Sequence, residues 1–191
     1  MSITIDARTT IYSGWTTLSL ARVRLADGTM LERVIEDHGD AATVLAYDPA
    51  RKCALLVQQF RAPAFYRAGI DGVVEAVAGK IEGESAQSCA RREALEEAGV
   101  ELRALEHVGN VWTSPGFTTE RFSLFLAEYC AADRRTAGGG AEGEHENITV
   151  LELPLAGLKQ KMMTGGIDDL KTLALLQALL LRRPELFAET L

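Results

Sequence analysis

The residues able to do chemistry are concentrated in positions 79–100, GKIEGESAQSCARREALEEAGV. Ser85 is suited to open a helix by accepting a hydrogen bond from its first turn, and Gly99 to close it, so the stretch predicts a helix over 86–98. At about 100° per residue, Glu93, Glu96 and Glu97 fall within an arc of roughly 100° on one face. Ala86 and Ala90 share that face, so the acidic stripe runs over small residues. Carboxylates four positions apart, such as Glu93 and Glu97, cost an isolated helix roughly a few tenths of a kcal/mol. A cation would offset that cost. Oxygen-only ligands suit Mg²⁺ or Mn²⁺, which keep several waters and are completed by substrate phosphates. The octamer REALEEAG alone reads as an ordinary solvated helix face, since Glu and Arg are common helix formers. Its surroundings decide between the two.

Four further segments carry candidate groups. The apolar run CALLVQQF leads into Arg61, and SPGFTTE, positions 114–120, includes Phe117. AGGGAEGEHEN, positions 137–147, interleaves Glu142, Glu144 and Glu146 with His145, and Lys171 stands in DDLKT at the start of an apolar helix. Each has an undemanding reading: a surface arginine, a turn, an acidic surface loop, and a lysine whose stem lies along apolar surface. His145 has an unperturbed pKa of about 6.5, suitable for a base.

These segments are set in a chain of 191 residues that is 47% hydrophobic, 25% charged and 6% aromatic, ordinary globular usage that excludes collagen, coiled-coil and disordered classes. A chain of this size buries roughly 70% of the surface its unfolded form exposes, so it needs neither disulfides nor structural metals. Cys53, Cys89 and Cys130 form no C-x-x-C pair, which points to a reducing cytosol and a cytoplasmic protein. His38, His107 and His145 are too scattered for a zinc site of the usual spacing. The N-terminus lacks the basic start and apolar block of a secretory signal, and the longest apolar stretch, 173–181, falls far short of the ~20 residues that span a bilayer. No membrane partner is expected. The net charge of −7 repels polyanions and argues against nucleic acid, while divalent cations would still admit a small phosphorylated substrate.

The elements that must position these groups follow from patterning. Positions 15–25 and 29–36 flank Asp27-Gly28, a hairpin signal, so residues 1–38 read as an antiparallel β region. AATVLAYD, CALLVQQF and GVVEAVAG read as core strands. After the acidic helix come strands over 106–112, 120–129 and 148–153, then helices over 154–163 and 168–182. The four glycines within 137–143 read as a mobile loop. This order predicts an α/β chain with helices on both sides of a mixed sheet, in two parts, the β region 1–38 and a domain over 39–191. The β region has no helix of its own to cover it, and the last helix carries leucine on nearly every side. Burial of both in a homodimer is the expectation.

With Ala78-Gly79 ending a strand, a glycine-bearing loop, then Arg92-Glu93, Glu96-Glu97 and Gly99-Val100 in order, residues 79–100 resemble the Nudix box, G-x5-E-x7-R-E-U-x-E-E-x-G-U. Two departures stand out: Glu84 follows Gly79 by five residues instead of six, and Ala94 fills the U position. The resemblance covers the chain from about Ala41 onward. It implies a Nudix α/β/α sandwich that hydrolyses a nucleoside diphosphate linked to another moiety. It also implies metal ligation by Glu93 and Glu97 with Glu96 assisting, a further ligand in the Ala78 carbonyl, and an orienting ion pair from Arg92. Outside the box, the chain is similar to nucleoside-diphosphate-sugar pyrophosphatases. QFR ending in Arg61 and SPGFTTE with Phe117 resemble that subgroup's substrate elements, and DDLKT resembles its D-G-K-T or D-A-K-T element, which puts Lys171 at phosphate or sugar. The subgroup's loop glutamate, a base or extra metal ligand, has counterparts in Glu144 as base and Glu146 as ligand, with His145 as the alternative base.

The implied activity is Mg²⁺-dependent hydrolysis of a nucleotide sugar to a nucleoside monophosphate and a sugar phosphate, the metal neutralising the diphosphate and lowering the pKa of the attacking water. The shortened box, the GGG-x-E-x-E loop and D-x-x-K-T look most like the GDP-mannose branch, with ADP-ribose as the alternative substrate. A non-catalytic nucleotide sensor is the alternative of another class, and such homologues typically lose the box glutamates that this chain keeps. Enzymes of the subgroup are dimers with shared sites.

Overall fold

The computed structural model describes residues 2–140 and 147–188. The chain divides into two compact units, Met1–Asp40 with Val111–Phe122, and Ala41–Asn110 with Ser123–Leu191.

The first unit is built on a three-stranded antiparallel sheet of β1 (Thr4–Ser13), β2 (Thr17–Arg24) and β3 (Met30–Asp37), in that spatial order. The hairpin at Asp27-Gly28 forms between β2 and β3, and the Asp27 carboxylate accepts the Thr29 amide at 2.9 Å. β2 and β3 pair without interruption from Thr17↔Asp37 to Arg24↔Met30. β1 adds a third strand whose ten residues are all exposed.

In chain order the remaining elements are β4 (Ala41–Asp48), β5 (Cys53–Gln59), α1 (Ala62–Ala68), β6 (Val73–Glu75), β7 (Val77–Lys80), α2 (Ala86–Ala98), β8 (Glu106–Trp112), β9 (Arg121–Glu128), β10 (Thr149–Pro154), α3 (Leu155–Thr164) and α4 (Leu170–Arg182). The strands form a seven-stranded mixed sheet in the order β10-β5-β4-β9-β8, with β6 on β5 and β7 on β4. All eight residues of β4 are buried. Its Ala42, Val44 and Ala46 share a core with Leu55 and Val57 of β5 and Cys89, Ala90, Ala94 and Ala98 of α2. The pleat turns Thr43, Leu45 and Tyr47 to the opposite face, and α4 packs against β4 with Leu175, Leu176 and Leu179 wholly buried. A strand covered on both faces is what a sheet between helical layers requires.

Two features differ from the sequence-based expectation. GVVEAVAG is two strands, because β6 pairs with β5 (Val57↔Glu75) and β7 with β4 (Val44↔Val77). The chain changes partner at Ala76, whose amide bonds to Thr172 Oγ1 of α4 at 2.6 Å instead of to a neighbouring strand. The short helix α1 has no counterpart in the expected elements; it has no buried residue and so carries no apolar period to read. Among the described residues no helix is long and apolar enough to cross a membrane.

Candidate active site

The second unit carries two charged clusters, the first on α2. Ser85 caps the helix by accepting the Ser88 amide at 3.1 Å, and Gly99 closes it with φ +67°, a conformation glycine adopts without a Cβ penalty. Arg92 is the hub of the acidic face. Its Nη1 donates to Glu93 Oε1 at 2.8 Å and Glu96 Oε2 at 2.9 Å, while Nε and Nη2 donate to Glu84 Oε1 at 3.0 and 2.9 Å. Glu84 therefore reaches the arginine across the shortened loop. Glu97 is 3% exposed, and the Ala78 amide of β7 donates to its Oε2 at 3.3 Å. Cys89, beside this cluster, is an inert thiol: burial and the field of Glu93 push its pKa up to about 11.

Gly79 explains how Glu93 comes to lie against the strand. A Cβ at position 79 would stand 1.7 Å from Glu93 Oε1 and 2.0 Å from its Cδ, so the carboxylate fills the space of the missing side chain. Gly79→Ala is expected to expel that carboxylate while the flexible side chain spares the fold. The measurable outcome is a kcat/KM lowered about tenfold or more with a melting temperature close to wild type.

The second cluster centres on Glu75, 2% exposed at the end of β6. Arg61 donates to both its oxygens, through Nε to Oε1 at 2.7 Å and Nη2 to Oε2 at 3.0 Å, and Lys171 Nζ also donates to Oε2. Lys171 also reaches Asp169 Oδ1 at 3.0 Å, and its side chain is 9% exposed, so it does not extend into solvent. Asp169 caps α4 by accepting the Thr172 amide at 2.9 Å, and Thr172 in turn holds the Ala76 amide. Burial works against the Glu75 charge, but the bonds and fields of Arg61 and Lys171 outweigh it and lower its pKa. Arg61 also lies within the field of Glu97, so the cationic and acidic clusters adjoin. Glu75 was not among the candidates drawn from the sequence. The available signal was a single acid in an otherwise apolar strand.

The glycine stretch has a fixed part. Gly139 donates to the Glu97 carbonyl at 2.8 Å and Gly140 to the Glu96 carbonyl at 3.1 Å, so the end of α2 is satisfied by backbone that read as a mobile loop. Glu142, Glu144, His145 and Glu146 lie outside the described residues. Phe117, half exposed, belongs to the first unit.

The donors on α2 and β7 are all oxygens, the set preferred by Mg²⁺ or Mn²⁺. Among the described residues no three His, Cys, Asp or Glu side chains gather closely enough to hold an ion alone.

Comparison with known proteins finds relatives over most of the chain. The NUDIX domain family matches residues 37–171. The GDP-mannose pyrophosphatase of Cronobacter sakazakii is 41% identical over 152 residues, covering 79% of this chain and 78% of the relative. That of Pectobacterium atrosepticum is 40% identical over 151 residues, covering 78% and 77%. The crystal structure of an ADP compounds hydrolase superposes with a TM-score of 0.78 over 97% of this chain and 96% of that one, at 15% identity.

Proposed function

Because the chain belongs to the Nudix family, we propose that it is a Mg²⁺-dependent pyrophosphatase that cleaves the diphosphate of a nucleotide sugar, GDP-mannose first among them, into a nucleoside monophosphate and a sugar phosphate. One observation carries the reading: an acidic helix face, buried at Glu97 and partly open at Glu93 and Glu96, adjoins two cations gathered on the buried Glu75, the pairing a metal-bound diphosphate requires. Glu93 and Glu97, assisted by Glu96, the Ala78 carbonyl and Glu146, would hold the metal, which neutralises the diphosphate and acidifies the attacking water. Arg61 offers guanidinium donors to phosphate oxygens, with Lys171 fixing the carboxylate on which it rests. Arg92 orients the glutamates around it, and Phe117 contributes to substrate binding.

The base is Glu144, since a metal-bound carboxylate is a poor proton acceptor and the helix glutamates are committed to metal. Glu144→Gln is expected to lower kcat with Mg²⁺ affinity nearly unchanged, whereas Glu146→Gln weakens Mg²⁺ binding and His145→Ala does little. Loss of turnover in His145→Ala with retention in Glu144→Gln would assign the base to histidine.

The reading is tested by a Mg²⁺-dependent assay over GDP-mannose, ADP-ribose, other nucleotide sugars, dinucleoside polyphosphates and nucleoside triphosphates. Preference for ADP-ribose would select the alternative substrate, and no turnover anywhere would leave a nucleotide sensor. The enzyme acts as a cytoplasmic homodimer in this reading. The exposed first strand supports the dimer: Ile3 beside it and Ile5, Ile11 and Tyr12 within it are each more than half exposed, apolar side chains that a second copy would cover. Light scattering at micromolar concentration is expected to report twice 20.7 kDa, and a monomer would refute the pairing.

A further inference from the structure

In the first unit, His38 sits between two carboxylates from distant parts of the chain. Its Nδ1 lies 2.6 Å from Glu36 Oε1 on β3, and its Nε2 lies 3.0 Å from Glu120 Oε1 at the end of the 114–120 segment. Ionised carboxylates only accept hydrogen bonds, and neutral imidazole donates from one nitrogen alone. Both contacts are hydrogen bonds only if both ring nitrogens carry protons. The indole of Trp15 covers a ring face, stacked with centroids 4.8 Å apart and planes 24° from parallel, a placement that favours a cation. The side chains of His38, Glu36 and Glu120 are 16%, 11% and 18% exposed, so their charges are poorly screened. Partial burial opposes the imidazolium, but the bonds from Glu36 and Glu120 outweigh it and raise the pKa of His38.

The same residues hold the segment that carries Phe117. The Glu36 amide donates to the Phe117 carbonyl and the Thr119 amide to the Glu36 carbonyl, both at 2.9 Å, through a single parallel bridge between positions 36 and 118. Thr118 and Thr16 donate their hydroxyls to the Glu36 carboxylate, and Thr119 Oγ1 donates to Asp37 at 2.7 Å. A bridge one residue wide depends on its side chains. Of the residue types gathered here, histidine alone has an unperturbed pKa near neutrality.

We propose that His38 is a positioning residue: bridging Glu36 and Glu120 as an imidazolium, it locks the 114–120 segment onto β3, and its deprotonation frees that segment and weakens substrate binding through Phe117. The substrate step rests on the reading that Phe117 contacts the nucleotide sugar. The sign follows from the raised pKa. The lock is complete below about pH 6.5 and is lost as pH rises through the elevated value.

Amide hydrogen exchange at Thr119 and Glu36, expressed as protection over the intrinsic rate between pH 6 and 9, tests the lock without any substrate. Protection is expected to fall with rising pH in the wild type and to be low throughout in His38→Gln. His38→Arg, which stays charged and offers donors to both carboxylates, is expected to keep protection at pH 9. With GDP-mannose, His38→Gln at pH 6.5 is expected to raise KM about tenfold with kcat within about twofold, and the difference should shrink as pH rises. Protection indifferent to both pH and substitution overturns the lock. Lost protection with an unchanged KM overturns the link to substrate. A wild type that turns over no nucleotide sugar overturns the functional reading and with it the substrate step, while the exchange data still decide the lock.

Discussion

Glu97→Gln is expected to lower kcat by at least ~10²-fold while leaving the fold intact. The replacement keeps the volume of a side chain that is 3% exposed, and its amide oxygen can still accept the Ala78 N–H. What it removes is the charge. In water such a loss is modest, but for a buried carboxylate within the field of Arg61 the attraction for a divalent cation is poorly screened. The variant should therefore show an unchanged circular dichroism spectrum, weaker Mg²⁺ dependence and a kcat that excess Mg²⁺ restores only in part. Turnover near the wild-type level in a folded variant would remove Glu97 from the metal set.

The difference between what was readable in the chain and what was not follows the range of the interactions. The limits of α2 at Ser85 and Gly99 are local, set by a side-chain cap and by a left-handed residue, and both stand in the structure where the residue types place them. The strand over 106–112 is equally local. The division of GVVEAVAG at Ala76 is not, because it depends on two strands and on Thr172, which is 96 residues away in sequence. Glycines 138–140 show a different limit. Composition marks glycine as flexible, yet the same absence of a Cβ lets backbone approach a helix end, and only the bonds to the Glu96 and Glu97 carbonyls distinguish the two uses. The acidic face was readable because three carboxylates share one helix; Arg61 and Lys171 were readable only one by one, and their meeting on Glu75 was not, because the three come from a loop, another helix and a strand.

That cationic cluster gives the second large effect. Glu75→Gln leaves Lys171, 9% exposed, and Arg61, 44% exposed, without the carboxylate on which both rest. Removing one partner of a buried ion pair costs about 3–5 kcal/mol, and the lower end applies here because Arg61 keeps part of its charge in water. For a chain of this length that corresponds to a melting temperature lower by roughly 6–12 °C at pH 7. The effect is electrostatic, which gives it two signatures that simple loss of packing lacks. Adding Lys171→Met to Glu75→Gln should return part of the stability, since it removes the more deeply buried of the two cations, which would otherwise keep only part of its pairing, through Asp169. The pH dependence has a fixed sign: the folded pKa of Glu75 is depressed, so its contribution is present above the ordinary carboxylate value and is lost as pH falls through the depressed one. The gap between wild type and Glu75→Gln should therefore be full at neutral pH and should close in acid. A gap that persists undiminished through the acid range would mean that Glu75 supports the fold by its shape and not by its charge.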